Sequence, residues 1–215
     1  NGNLVSTTSP AGNTTRYTYD ERSLNTSVQN ARGYTTTNSY DTLGRLVETV
    51  YADGSSVSYT YDANGRILTT TDQLGGVTAY AYDAMGNVTS ITDPMGGMVS
   101  YGYDAVGNIV SITDAMGFVT AYAYTADNQI ASVTDAEGGV TSFTYDALGQ
   151  MASVTSPEGR TTSYAYDAKG NQTDVTTAAG TVRYEYDALD RLVSMTDANG
   201  GKTSFVYDAE GNTTG

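Results

Sequence analysis

In Val77-Thr78-Ala79-Tyr80-Ala81-Tyr82, an extended chain places Thr78, Tyr80 and Tyr82 on one side and Val77, Ala79 and Ala81 on the other, because successive strand side chains point to opposite faces. The division recurs as Thr120, Tyr122 and Tyr124 against Val119, Ala121 and Ala123, and as Thr141, Phe143 and Tyr145 against Val140, Ser142 and Thr144. A shorter run rich in β-branched residues, such as Val88-Thr89-Ser90-Ile91-Thr92, alternates with these segments and also suits a strand. Between the two kinds of run lie the breakers Asp93-Pro94-Met95-Gly96-Gly97 and Asp104-Ala105-Val106-Gly107-Asn108. Strand, turn, strand, turn is the predicted order, and short strands joined by Gly-containing loops predict β-hairpins. In the shorter strand the apolar residues stand three apart, as in Val88 and Ile91, Ile109 and Ile112, or Ile130 and Val133. That spacing puts them on opposite faces unless a β-bulge intervenes, and both arrangements stay open at this point.

The pattern has a fixed length. A tyrosine of the same frame stands at Tyr19, Tyr40, Tyr61, Tyr82, Tyr103, Tyr124, Tyr145 and Tyr166, each 21 residues after the last; one residue is then dropped, giving Tyr186, and the period resumes at Tyr207. Asp follows nine of these ten tyrosines, as at Asp62, Asp83 and Asp104, and Thr125 follows Tyr124. Such a period marks a repeat architecture. Asp-Ala-x-Gly suits a type I turn closed by a left-handed Gly, with the Asp side chain bonding the turn amides. Gly65, Gly86 and Gly107 hold the left-handed position, and Ser23, Asn128 and Asp190 stand there in other copies, Asn and Asp being the side chains that best tolerate positive φ.

The fold class expected is all-β, with tandem 21-residue hairpins stacked into one continuous, twisted spiral sheet. Residues 1–215 read as a single array of about ten repeats. The Gly-Asn phase appears both at Asn1-Gly2-Asn3 and at Gly211-Asn212, so the array looks uncapped and is expected to continue into a longer polypeptide or into neighbouring copies. Two strands advance the sheet by roughly 9–10 Å per repeat. Equivalent tyrosines then form ladders, packing ring on ring and bonding through their hydroxyls.

Composition narrows the partners. The formal net charge is −14 with 16% charged residues, which argues against nucleic acid and anionic membrane surfaces, since both require a basic footprint. The sequence holds neither a long apolar run nor a basic leader, so no membrane insertion and no signal peptide is expected within it. Cys is absent, which excludes disulfides.

Tyr-Asp-Ala-x-Gly-Asn, a β-branched strand, Thr-Asp-x-x-Gly-Gly and a second strand together resemble the YD repeat of the Rhs family, over the whole chain. The resemblance implies a large secreted or cell-surface protein, bacterial in most relatives, whose hairpins wind into a hollow shell. Relatives include Rhs polymorphic toxins, shell subunits of insecticidal toxin complexes, wall-associated proteins and teneurins. In toxin members the shell encloses a C-terminal effector released by autoproteolysis at a core motif. This sequence departs from the full toxin pattern in having repeats only. Asp93-Pro94-Met95-Gly96 resembles part of the core motif, but it sits in repeat phase with Asp114-Ala115-Met116-Gly117 and reads as a turn.

Catalytic chemistry finds little support. With no His and no Cys, His-based triads, thiol nucleophiles and the usual zinc sites are excluded. Every Asp has equivalents in other repeats, which favours turn capping over a distinct carboxylate pair, so no catalytic or cofactor-binding residue is expected. Calcium at the turn Asp residues is the one metal alternative, although one Asp per repeat spaces equivalents about 10 Å apart. The functional expectation is a structural segment that encloses or presents a cargo. An extracellular fibre and a glycan-binding adhesion module with sugars stacked on Tyr are the alternatives.

Overall fold

The computed structural model describes residues 2–214; Asn1 and Gly215, the outer bounds of the expected array, lie outside the described residues. Among the described residues the chain forms twenty strands and no helix. They are β1 (Ser6–Thr8), β2 (Thr14–Tyr19), β3 (Asn25–Gln29), β4 (Thr35–Tyr40), β5 (Leu46–Val50), β6 (Ser56–Tyr61), β7 (Ile67–Thr71), β8 (Val77–Tyr82), β9 (Val88–Thr92) and β10 (Met98–Tyr103). There follow β11 (Ile109–Thr113), β12 (Val119–Tyr124), β13 (Ile130–Thr134), β14 (Val140–Tyr145), β15 (Met151–Thr155), β16 (Thr161–Tyr166), β17 (Gln172–Thr177), β18 (Gly180–Tyr186), β19 (Leu192–Thr196) and β20 (Lys202–Ser204).

The strands fall into two compact units, one containing β1 to β9 and β10 as far as Gly102, the other containing Tyr103 and β12 to β20, with residues of β11 in both. In the first unit each strand pairs antiparallel with its neighbours in sequence. The second unit follows the same rule. The expected all-β architecture of tandem 21-residue hairpins is therefore present, and within each unit each hairpin bonds to the next.

The register decides which faces the apolar residues share. β8 meets β9 with Tyr80 opposite Ile91 and Tyr82 opposite Val88, the pairing slipping between Ala81 and Tyr82. Thr89 is thus an extra residue, a β-bulge. The bulge puts Val88 and Ile91, three apart in sequence, on the same face as the tyrosines. The slip recurs before Tyr19, Tyr40, Tyr61, Tyr124, Tyr145, Tyr166 and Tyr186. On the other face, hydroxyls pair across strands, with Thr60 Oγ1 2.6 Å from Thr69 Oγ1 and Thr144 Oγ1 2.7 Å from Ser153 Oγ.

Neither unit has a hydrophobic core. No hydrophobic side chain is fully buried among the described residues, and Ser194, 3% exposed, is the one buried residue. Among the described residues, contacts between strands within each unit join sequence neighbours alone, so each sheet is one layer thick. Its stability rests on cross-strand pairs such as Tyr80 with Ile91, Tyr122 with Val133 and Phe143 with Val154. A lone hairpin of this kind is marginal in water, and pairing with adjacent hairpins supplies what it lacks.

The dropped residue shortens one loop. Thr177 pairs with Gly180 across the two-residue connection Ala178-Ala179, where Gly180 has φ 124° and a Cβ would lie 2.9 Å from the Ala198 Cβ. The ladder resumes beyond it, with Tyr186 opposite Leu192.

Candidate functional site

The Tyr–Asp turn is the most elaborate recurring cluster of side chains. At Asp62 the backbone closes through the Asp62 amide donating to the Arg66 carbonyl at 2.9 Å and the Gly65 amide donating to the Asp62 carbonyl at 3.1 Å. Gly65 sits at φ 86°, a conformation that costs an L side chain energy and suits Gly. Asp62 Oδ1 accepts from the amides of Asn64 and Arg66, both at 2.9 Å, and Oδ2 accepts from Arg66 Nε at 2.6 Å. Asp83 repeats the scheme with the amides of Met85 and Asn87 and with Asn87 Nδ2. The expected left-handed substitutes are present too, Ser23 at φ 65°, Asn128 at 60° and Asp190 at 61°. Thr125, which replaces Asp, makes a thinner cap in which its Oγ1 accepts from the Gln129 amide at 3.2 Å.

These donors hold the carboxylates in their charged form. The Arg66 amide, with the guanidinium behind it, keeps Asp62 below its ordinary value. At Asp83 the Asn87 side chain is the largest cause of the same downward shift. Asp104 is also lowered, Asn108 and the turn amides outweighing the burial that opposes them.

Successive turns are tied together by the residue just after Gly. Arg45 Nη1 donates to the Asp62 carbonyl at 2.9 Å while its guanidinium lies 4.7 Å from the Tyr61 ring centre. Arg66 makes the same bridge to the Asp83 carbonyl at 3.1 Å, over the Tyr82 ring at 4.5 Å. Where Arg is replaced, amides do the work, as with Asn108 Nδ2 to Asn128 Oδ1 at 3.0 Å and Gln129 Nε2 to the Gly149 carbonyl at 2.7 Å. Sequence reasoning did not pick out this bridging position. The signal was available, because Arg45, Arg66 and Asn108 are all polar, long enough to reach the next turn, and in phase.

The repeat tyrosines make the second tie. Their hydroxyls donate to the backbone carbonyl at the bulged start of the shorter strand one repeat earlier. Tyr40 reaches Asn25 at 2.8 Å, Tyr61 reaches Leu46 at 2.7 Å and Tyr82 reaches Ile67 at 2.8 Å. Tyr124, Tyr145 and Tyr166 reach Ile109, Ile130 and Met151 at 2.7, 2.8 and 2.9 Å. Tyr19, Tyr186 and Tyr207 bond to Leu4, Gln172 and Leu192, and Tyr103 closes β10 in the same frame position. The expected hydroxyl bonding thus runs from ring to backbone.

The other turn is simpler. Asp72 Oδ1 accepts from the amides of Leu74 and Gly76 at 2.8 Å, and Asp93 Oδ1 from those of Met95 and Gly97 at the same distance. Asp135 does likewise with Glu137 and Gly139. Asp93-Pro94-Met95-Gly96 is therefore built like its equivalents. Among the described residues no group of three or more His, Cys, Asp or Glu comes together to hold a metal ion. The arrangement commits each Tyr–Asp carboxylate to the turn that carries it, and its chemistry is that of a staple between repeats.

Comparison with known proteins gives a consistent picture of the fold. The RHS repeat family matches residues 1–35, 40–76, 61–98, 103–140, 124–161, 145–182, 166–202 and 186–215. A search of the curated proteins found no match. Among solved structures, "TcdB2-TccC3-TEV" is similar at 20% identity and a TM-score of 0.67, over 99% of this chain and 13% of that one. "TcdB2-TccC3-Cdc42" is similar at 19% identity and a TM-score of 0.65, again over 99% and 13%. The same protein without its hypervariable C-terminal region aligns at 17% identity and a TM-score of 0.52, over 95% and 15%. This chain thus spans about an eighth of the length of the structures it resembles.

Proposed function

Because the chain belongs to the RHS repeat family, we propose that it is a non-catalytic wall segment of a larger secreted or cell-surface protein, in which stacked hairpins form a shell around a cargo or effector domain. The observation that carries this reading is the coreless sheet stapled repeat to repeat. A layer with no buried interior is poorly suited to stand as a globular domain, but it serves as a wall, with one surface free for solvent and the other for contents. The Tyr82 hydroxyl to Ile67 carbonyl bond and the Arg66 bridge to the Asp83 carbonyl fasten each added repeat to the one before, so the wall extends by copying one unit. The structural likeness to TcdB2-TccC3 proteins supports the shell geometry. Its partners in this reading are the rest of the parent polypeptide and the enclosed domain.

The test is limited proteolysis of the full-length parent protein. An enclosed domain is resistant while the shell is folded and becomes sensitive once heating unfolds the repeats. A downstream domain cut at the same rate in both states would overturn the enclosure.

A further inference from the structure

The turns opposite the Tyr–Asp edge carry residues that the repeat does not require. At the third position of these turns stand Ala11, Arg32 and Asp53, then Leu74, Met95 and Met116, then Glu137, Glu158 and Asn199. The polar copies make the same turn, as the matching hydrogen bonds of Asp72, Asp93 and Asp135 indicate, so folding does not select the apolar ones. Leu74 is 96% exposed, Met95 95% and Met116 80%. Val77 and Met98, which open the strands leaving the first two of these turns, are 44% and 50% exposed, where Thr35, Ser56 and Thr161 stand in other repeats. All five apolar residues belong to the first unit. A row of exposed apolar side chains in repeat phase suits an interaction surface, and Met suits one that adapts to its partner.

The charge around it selects the partner. Between Arg66 and Arg160 the turns of this edge hold six Asp and Glu (Asp72, Asp93, Asp114, Asp135, Glu137 and Glu158) and no Lys or Arg. Asp53, Asp72 and Asp93 are exposed beside the apolar turns. A second copy of this chain would bring the same anionic field, and an anionic bilayer would be repelled as well. Consecutive turns on this edge are two strands apart, about 9–10 Å, close to the ~10.5 Å between residues i and i+7 of an α-helix.

We propose that this edge docks a basic amphipathic helix of a partner protein, lying across the turns with one apolar side chain per heptad on Leu74, Met95 and Met116 and its Lys or Arg flanks against the carboxylates. The proposal does not depend on enclosure of a cargo.

The test is fluorescence anisotropy with this chain and a labelled Leu/Lys peptide of roughly three heptads, beside a scrambled peptide of identical composition. The heptad peptide binds, and the triple variant Leu74→Asp, Met95→Glu, Met116→Glu weakens it at least about tenfold although it adds negative charge. The milder Leu74→Asn, Met95→Asn, Met116→Asn variant weakens it in the same direction, which guards against a folding defect in the first. Met85→Glu with Leu148→Glu, on the Tyr–Asp edge, leaves binding unchanged. Absence of binding, equal binding of the scrambled peptide, or tighter binding by the acidic variant would each overturn the proposal, the last by showing attraction through charge alone.

Discussion

The Tyr82 hydroxyl donates to the backbone carbonyl of Ile67, 15 residues earlier, at 2.8 Å. Ile67 pairs with Tyr61 at the point where the register of β6 and β7 slips around Leu68. The pairing of β7 with β8 runs from Thr69 to Thr71 and stops short of Ile67, and the tyrosine supplies a donor where the ladder does not.

Tyr82→Phe should therefore lower stability by about 1 kcal/mol, the usual net worth of one such hydrogen bond. Tyr80→Phe, one position inward on the same face, should change it little, since Phe143 and Phe205 already occupy that position in other repeats. Urea unfolding of the two variants under identical conditions compares them, and equal losses would contradict the assignment.

Backbone conformation gives a second pair of substitutions. Gly65→Ala places a side chain at φ 86° and should cost on the order of 1 kcal/mol. Ser23→Gly, relieving φ 65°, should stabilise by up to about 1 kcal/mol. Thermal melts that moved in the reverse order would show that these turns are not strained in the way described.

Arg66 is held by Asp62, by the next turn's Asp83 carbonyl and by the Tyr82 ring. Arg66→Lys keeps the charge but not the planar fork that meets two acceptors at once, and should lower the melting temperature. Arg66→Asn imitates Asn87 and Asn108 and should lower it less than Arg66→Ala. The order of the three melting temperatures is the readout.

Acid should act in two stages. Asp20, Asp41, Asp62, Asp83, Asp104, Asp167, Asp187 and Asp208 all titrate below the ordinary aspartate value of 3.8. A carboxyl whose pKa is lowered by folding stabilises the folded state above its unfolded value, and that contribution is lost as pH falls through the lowered one. Above that window, falling pH relieves the self-repulsion of a −14 chain. The melting temperature should hold or rise from pH 7 toward the pI of about 4.1 and fall below 3.8. A steady decline across the range from pH 7 to 4 would contradict this account.

Much of this was legible in the sequence because it is written locally. Alternation in Val77 to Tyr82 marks a strand, Asp-Ala-x-Gly marks a turn, and Asn128 and Asp190 announce positive φ without Gly. The bulge at Thr89 is not written that way. It depends on which residues of β8 and β9 face one another, and a spacing of three between Val88 and Ile91 is compatible with either face until that register is known. The hydroxyl bond from Tyr82 to Ile67 inherits the same ambiguity, since it spans a repeat boundary. The absence of a core was hidden for a different reason. Alternation says that a strand has two unlike faces, but whether a second layer covers one of them is a property of the assembly.

Calcium coordination at the turns would tie stability to the ion, since a ligand that binds only the folded state raises its stability. With Oδ1 of the Tyr–Asp carboxylates bonded to two backbone amides, as at Asp62 and Asp83, melting curves in excess calcium and in chelator should superimpose.

Native-state hydrogen exchange tests most directly the claim that a single stapled layer is held together by pairing on both sides of every hairpin. Amides bridging β6 and β7, across the Tyr–Asp turn, and those bridging β7 and β8, across the other turn, should be protected to similar degrees. Protection of one set with free exchange of the other would mean isolated hairpins rather than a wall, and would contradict the account.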